Sequence, residues 1–332
     1  MAKQKILVVT HSADNTSTRI VIENIVKAGG EAIRFDVDRY PLETSLSSSF
    51  VNGRWRILLD TGYVVHDLDD VTAVWYRRSY NLGKGLQTVI DPEYLPATIG
   101  EVKRTLMGML EGLNCFQLAR NSVYRRLDSK EEQLKVAVRN GLLIPDTCIS
   151  NDPAIVGRFI EEQGGSVISK MQSSFAVYKE AEEHVVFTNA VTADHLQGLD
   201  TLRYCPMVFQ QQVEKKLELR VTIVGQEVFA FSIDSQRVDN ARVDWRKEGA
   251  NMVHEWLPYQ LPDEVKAKLL SFMDEYGLNY GAIDLILTPD NQYYFLEVNA
   301  AGEFFWLDKL CDHAISRQIA AVLMGTSARR GN

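Results

Sequence analysis

Nothing in the 332 residues approaches a membrane-spanning apolar run. The stretch Ile6-Leu7-Val8-Val9 is too short for a secretory signal core and reads as a strand. An excess of positive charge is missing as well. The 36 Lys and Arg stand against 44 Asp and Glu, a formal net charge of −8, which speaks against general binding to nucleic acid or an anionic membrane. The four cysteines, Cys115, Cys148, Cys205 and Cys311, form no Cys-x-x-Cys pair. Neither a zinc site nor a disulfide framework is therefore expected, and a reducing cytoplasm is the expected location. No Gly-x-x-x-x-Gly-Lys-Ser/Thr loop occurs and no Gly-x-Gly-x-x-Gly opens the first helix, which points away from P-loop enzymes and dinucleotide dehydrogenases. Kinase-type His-Arg-Asp and Asp-Phe-Gly are absent, as is any Ser-His-Asp or Cys-His arrangement, and there is no repeat or low-complexity segment.

What the chain does have is a pair of apolar strands near its end, each carrying an acid. Gly281-Ala282-Ile283-Asp284-Leu285-Ile286-Leu287 is joined through Pro289-Asp290-Asn291 to Tyr294-Phe295-Leu296-Glu297-Val298-Asn299. Glu297 and Asn299 are two apart, so both side chains face one side of the sheet. If Asp284 pairs opposite them, three oxygen ligands converge with no basic residue between. Such a set suits a hard divalent cation, and Mg²⁺ with a nucleotide phosphate is the usual occupant. The plain alternative is a solvated outer face, but both strands are too apolar for an ordinary edge.

The expected fold class is α/β and α+β in three units. Residues 1–115 read as an α/β unit with strands at 5–10, 32–36 and 73–76 and helices at 18–28 and 97–113, hence a mostly parallel sheet. Residues 116–212 read as an α+β lobe. Its first helix opens on a capping box of Ser129 and Glu132 and stops at Gly141; a strand follows around Cys148, then a helix from Asp152-Pro153. Strands ending at Lys170-Met171 and spanning 185–188 and 207–212 complete the lobe. Residues 213–325 hold a 218–224/227–233 hairpin, a helix at 263–276, the acid-bearing strands and a helix at 312–324. Residues 326–332 are expected to form a disordered tail.

Several other residues could carry chemistry. Lys170 ends the apolar strand Val167-Ile168-Ser169, where an ammonium is costly unless it meets an anion such as phosphate; the alternative is an edge lysine reaching solvent. Lys130 sits in a first helical turn, where the dipole welcomes anions, so it is either incidental or helps to hold a phosphate. Gln210, Gln211 and Val213 lie on a strand passing between lobes, whose backbone groups suit a planar heterocycle. Glu218 could accept from ribose hydroxyls, and Arg220, two residues on, could touch phosphates. Arg246, in Asp244-Trp245-Arg246-Lys247-Glu248-Gly249, suits charge stabilisation in phosphoryl transfer, or a solvated loop. Arg77 and Arg78 follow a buried strand, where ligands collect in α/β sheets; a surface ion-pair role is as plausible.

In this order the residues resemble the ATP-grasp superfamily over nearly the whole chain. Val9-Thr10-His11-Ser12-Ala13-Asp14-Asn15, Arg34-Phe35-Asp36-Val37-Asp38-Arg39-Tyr40-Pro41 and Val74-Trp75-Tyr76-Arg77-Arg78 resemble the microviridin-type ATP-grasp ligases, the graspetide synthetases. So do Pro206-Met207-Val208-Phe209-Gln210, Glu218-Leu219-Arg220-Val221-Thr222, the Asp244–Gly249 segment and Gly302-Glu303-Phe304-Phe305-Trp306-Leu307. The resemblance implies an N-terminal pre-ATP-grasp domain, a central lobe and a C-terminal lobe. It also implies ATP and Mg²⁺ as cofactors and macrocyclisation of a ribosomally made precursor peptide as the activity.

In that scheme Lys130 and Lys170 hold phosphates, Asp284, Glu297 and Asn299 hold metal, and Arg220, Arg246 and Arg78 serve catalysis. A substrate Asp or Glu is activated as an acyl phosphate, then captured by a Lys amine (lactam) or a Ser/Thr hydroxyl (lactone). Ala300-Ala301 before Gly302 is closer to the lactam-forming branch. The family further implies a helical leader docking on the central lobe near residues 171–196, with Phe175, Val177, Tyr178 and Asp194 as candidates, although His195 stands where a second acid is expected. A second ATP-grasp ligase acting on the same precursor and a homodimer are expected partners; nucleic acid and membrane are not. Two other classes share the ATP machinery: a ligase adding an amino acid to a peptide terminus, and a non-catalytic ATP-binding regulator. The full metal set points away from the regulator.

Overall fold

The computed structural model describes residues 3–172, 176–179, 182–185, 187–239 and 242–331, the segments 176–179, 182–185 and 249–250 as backbone only. The N-terminal sheet is parallel, in the order β2 (Glu31–Asp36), β1 (Lys5–Thr10), β6 (Ala73–Tyr76), β7 (Phe116–Gln117). Because both faces are covered, β1 is apolar throughout rather than alternating. Leu7 and Val9 face a core shared with Val102, Leu106 and Leu110 of α2 (Leu95–Gly112). Ile6 and Val8 face the opposite way, onto Val21 and Ile25 of α1 (Thr16–Lys27) and onto Ile315 and Ile319 of α10 (Ala314–Met324). The first sheet and the last helix therefore share one core, which fixes the N-terminal domain against the C-terminal lobe. Between β2 and β6 lies a three-stranded antiparallel sheet of β3 (Ser45–Val51), β4 (Arg54–Asp60) and β5 (Val65–Asp67).

The central sheet runs β12 (Asn189–Ala190), β9 (Val167–Lys170), β13 (Met207–Gln211), β8 (Thr147–Ser150), all antiparallel. It packs Val167 and Phe209 on Val156 and Ile160 of α5 (Pro153–Glu162), whose first turn is capped by the Asp152 carboxylate accepting from Ala154 N. β10 (Ala176–Lys179) and β11 (Glu182–Val185) form a two-stranded antiparallel sheet of their own, and α6 (Ala193–Gln197) follows β12. Of the strand expected over 185–188, only Val185 lies in a strand, and Val186 is outside the described residues. β11 stops at Val185, and Thr188 lies outside any strand, donating its N–H to Asp244.

The C-terminal sheet is antiparallel, in the order β16 (Leu257–Pro258), β15 (Glu227–Ile233), β14 (Leu217–Val224), β17 (Tyr280–Leu287), β18 (Tyr293–Asn299). One face carries α8 (Asp263–Tyr276) and α4 (Lys130–Arg139); the other carries α9 (Phe305–Leu310) and α10, while α3 (Asn121–Leu127) precedes α4 and a single turn, α7 (Gly249–Met252), precedes β16. Helix α4, which the sequence groups with the central lobe, buries Leu134, Val136 and Ala137 against Leu219, Val221 and Val298 of this sheet. That packing is what brings Lys130 to the sheet's acids. Only half of the expected capping box forms: Ser129 Oγ accepts from Glu132 N, but the Glu132 carboxylate takes the Arg126 guanidinium instead.

Two expectations at the C-terminal end are corrected. The last helix starts at Ala314, because Asp312 and His313 have positive φ (49° and 59°). Residues 326–331 are packed rather than disordered. Asn279 and the backbone of Arg330 exchange two hydrogen bonds, Asn279 Nδ2 to O (3.1 Å) and N to Asn279 Oδ1 (2.7 Å), and the buried Arg330 side chain reaches Asp274. No helix among the described residues is long and apolar enough to cross a membrane.

Candidate active site

The central and C-terminal sheets face each other across a cavity of about 950 Å³. All twelve residues assigned to nucleotide, metal or catalysis line it: Lys130, Lys170, Gln210, Gln211, Val213, Glu218, Arg220, Arg246, Asp284, Glu297, Asn299 and Arg78. Asp194 does not; it is exposed on α6, and the neighbouring His195 is spent on capping that helix at Thr192. Phe175 lies outside the described residues. Val177 and Tyr178 lie on β10, whose side chains are not described.

At one end β13 leaves the central sheet. The N–H groups of Gln211 and Gln212 are taken by Asp146 O and Ser166 O (2.9 Å each), so these are not free for a ligand. Val213 N makes no hydrogen bond among the described residues. Gln210 is buried; its amide nitrogen donates to Thr147 Oγ1 (2.9 Å) and its Oε1 has no partner among the described residues. A buried orphan acceptor costs about 1–3 kcal/mol unless a donor meets it. Glu218 follows on β14, accepting from Lys215 Nζ (2.8 Å), which also donates to Val243 O (2.8 Å). Burial pushes the Glu218 carboxyl up and Lys215 partly offsets this.

The other end is dense in charge. Asp284 on β17 pairs directly with Glu297 on β18, and Ala282 with Asn299, so the side chains of Asp284, Glu297 and Asn299 share one face. The register steps between Asp284 and Leu285, leaving Leu296 as the extra residue of a bulge. Asn299 Oδ1 accepts from Ala301 N (2.9 Å), which fixes the amide and keeps one lone pair of its oxygen for a ligand. Contrary to expectation, basic residues do stand among these acids. Arg220 Nη1 donates to Asp284 Oδ1 (2.8 Å), and Lys130 Nζ donates to Glu297 Oε2. Cross-strand pairing of Arg220 with Asp284 and the packing of α4 on β18 bring them there.

Burial raises the Glu297 carboxyl, but Lys130, Lys170 and Arg246 outweigh it and hold it down to about 2. Burial also pushes the Lys170 ammonium down, reinforced by Lys130 and Arg246 and opposed by Glu297. Lys170 is thus an inward lysine, not an edge residue in water. Arg246 is clamped by Asp244 through Nε to Oδ1 (2.8 Å) and Nη2 to Oδ2 (2.7 Å), a bidentate pair that aims the loop inward.

The charge count decides what this wall can hold. Six cations (Arg78, Lys130, Lys170, Lys215, Arg220, Arg246) face six acids (Asp128, Glu218, Asp244, Asp284, Glu297, Glu303), so a polyphosphate cannot be neutralised without a cation arriving with it. Asp284, Glu297 and Asn299 offer an all-oxygen set that fits Mg²⁺. Among the described residues no cluster of three or more His, Cys, Asp or Glu forms a metal cage of its own. The phosphates and water would have to complete the coordination.

Sequence reasoning missed Glu303 and the inward turn of Arg77. Arg77 is buried (1% exposed) and holds Glu303 Oε2 and Ala301 O, so its surface alternative is excluded. The signal for Glu303 was an acid directly after Gly302. A Cβ on Gly302 would meet Ala282 Cβ at 2.4 Å and Arg220 Nη2 at 2.9 Å, so only glycine lets the chain pass over β17 here. Gly302→Ala is expected to lower stability by about 1–3 kcal/mol through overpacking. An unchanged denaturation midpoint would show that the loop is not tightly seated.

Residues 5–125 match the MvdD pre-ATP grasp domain family, and residues 127–323 match the RimK-like ATP-grasp domain family. No curated protein sequence matches the chain. Among solved structures, a RiPP-associated ATP-grasp ligase from Chryseobacterium gregarium, in complex with ADP and a leader and core peptide, is 49% identical. It superposes with a TM-score of 0.96 over 99% of both chains. The macrocyclase MdnC from Microcystis aeruginosa MRC, bound with precursor peptide MdnA, is 39% identical (TM-score 0.88; 98% of this chain, 100% of that one). MdnB from the same source is 32% identical (TM-score 0.81; 96% and 99%). With identity of this order over the whole length, the chain belongs to the microviridin-type, RiPP-associated ATP-grasp ligases.

Proposed function

We propose that this ligase uses ATP and Mg²⁺ to cross-link side chains of a ribosomally synthesised precursor peptide. The carrying observation is that the phosphate lysines, the metal acids and three arginines meet in one cavity between two sheets. Gln210 and Val213 take the base, Glu218 the ribose, and Lys130 and Lys170 the phosphates. Asp284, Glu297 and Asn299 hold the metal, which when bound offsets phosphate charge. For the metal and nucleotide to bind, Lys130 must exchange Glu297 for a phosphate, and Arg220 must share Asp284.

A substrate Asp or Glu carboxylate then attacks the γ-phosphorus, ADP leaves, and an acyl phosphate forms; Arg220 and Arg246 stabilise the gathering charge. A Lys amine or a Ser/Thr hydroxyl attacks the acyl carbon, inorganic phosphate leaves, and one proton is lost. The enzyme contributes position and field, so it needs no nucleophile of its own. Arg78, at the N-terminal domain's edge of the cavity, faces the incoming peptide.

The precursor brings a helical leader, which we place on the central lobe near residues 171–196. A cytoplasmic location, a homodimer and a second ligase sharing the precursor belong to the same reading. Tandem mass spectrometry of candidate precursors incubated with ATP and Mg²⁺ tests it. Each ring removes one water from the peptide. A mass gain of one amino-acid residue would instead indicate a terminal amino-acid ligase.

A further inference from the structure

The loop after β18 ties the cavity to the N-terminal domain through one side chain. Glu303 divides its two oxygens: Oε2 takes Arg77 Nη2, and Oε1 takes Arg78 Nη2 at 2.6 Å. Arg77 cannot move. Besides Glu303 it donates to Ala301 O (2.6 Å), lies 3.7 Å from Asp14 Oδ2, and covers the Phe304 ring at 5.7 Å. Glu303 is equally fixed through its backbone, where its carbonyl accepts from Arg220 Nη2 (3.2 Å) and the preceding Gly302 O accepts from Tyr280 (2.7 Å).

Arg78 is held differently. Its guanidinium lies over Tyr80 (5.0 Å), its Nε is buried with no hydrogen-bond partner among the described residues, and Glu303 is its only ion-pair partner among them. Arg78 lines the cavity and its side chain stays 16% exposed, so a guanidinium held in one orientation by Glu303 and Tyr80 still has an open edge on which to receive a carboxylate. We propose that Glu303 is a positioning residue that aims Arg78 at the substrate's Asp or Glu side chain. The immobile Arg77 serves as the anchor against which Glu303 is set. Because Arg220 bridges Glu303 O and Asp284, the same residue also keeps the carboxylate-receiving end at a fixed distance from the metal end. This inference rests on the cross-linking reading above.

The test uses the full-length protein and a precursor peptide that the wild type cross-links. Glu303→Gln keeps the shape but turns one oxygen into a donor facing a guanidinium. The expected result is a rise in precursor KM of about tenfold or more, the size of one lost charge-assisted hydrogen bond, with the Kd for ATP within about twofold of wild type. Arg78→Lys alone should raise precursor KM similarly, and adding Glu303→Gln to it should change little more, because the glutamate acts through Arg78. Effects that multiply in the double variant, or an unchanged precursor KM in Glu303→Gln, overturn the proposal. A loss of ATP affinity matching the loss for the precursor would also overturn it, marking Glu303 as merely structural. A wild-type protein that cross-links no precursor would instead fell the functional reading, and this inference with it.

Discussion

Glu297→Gln is expected to lower the rate of cross-linking by about a thousandfold or more, on the order of 4 kcal/mol in the barrier, while leaving the fold intact. The variant keeps volume and hydrogen-bonding shape but removes the charge of a proposed metal ligand, paired across the sheet from Asp284. It also frees Lys130 and Lys170 from their acid, so ADP measured without Mg²⁺ should bind at least as tightly as to wild type. That combination separates a metal ligand from a fold residue, which would weaken both. Near-wild-type turnover in the variant would remove Glu297 from the metal site.

The same carboxylate ties stability to acid. Its folded pKa of about 2 lies below the ordinary 4.5. Its ionised form therefore adds stability above about pH 4.5, and this contribution is lost as pH falls towards 2. The fall in denaturation midpoint between about pH 5 and about pH 3 should be smaller in Glu297→Gln than in wild type. An equal fall would mean that Glu297 gains nothing from Lys130 and Lys170.

Lys170→Ala is the second large effect. Burial disfavours the ammonium, Glu297 offsets this only in part while Lys130 and Arg246 add to it, and the cavity supplies the place for a phosphate as a further anion. Removing it should weaken ATP binding by about 1.5–3 kcal/mol, roughly ten- to a hundredfold in Kd by calorimetry. Thermal stability without nucleotide is expected to change little, because relief of a desolvated cation offsets the lost attraction to Glu297. An unchanged Kd would move the phosphate site elsewhere.

Much of the site was legible because charge on an apolar strand is costly and therefore informative. Asp284 among Ile283, Leu285 and Ile286, Glu297 between Leu296 and Val298, and Lys170 after Val167-Ile168 each stood out for that reason. Helix 263–276 was legible from its period, and the β14–β15 hairpin from its Gly225-Gln226 turn. What could not be read was partnership at long range. Lys130 and Glu297 are 167 residues apart, Arg220 and Asp284 64 apart, and Arg77 and Glu303 226 apart.

Local sequence offers no reason to pair such residues, since packing of α4 on β18 and of β6 against the loop after β18 decides it. The final segment misled for a similar cause. Its small and basic residues look solvated, yet Arg330 is drawn in by Asn279 and Asp274, partners from another part of the chain. Glu132 was read as a capping acid, and a nearby Arg126 competes for it successfully.

The central claim is that the cavity joins a peptide's own side chains at the expense of ATP. It is tested most directly by incubating the protein with candidate precursors, ATP and Mg²⁺, and following peptide mass and ADP together. The expected result is one ADP formed for each water lost from the peptide, with tandem spectra placing each link between an Asp or Glu and a Lys, Ser or Thr. ADP formation with no change in peptide mass, or a gain by one amino-acid residue, would contradict it.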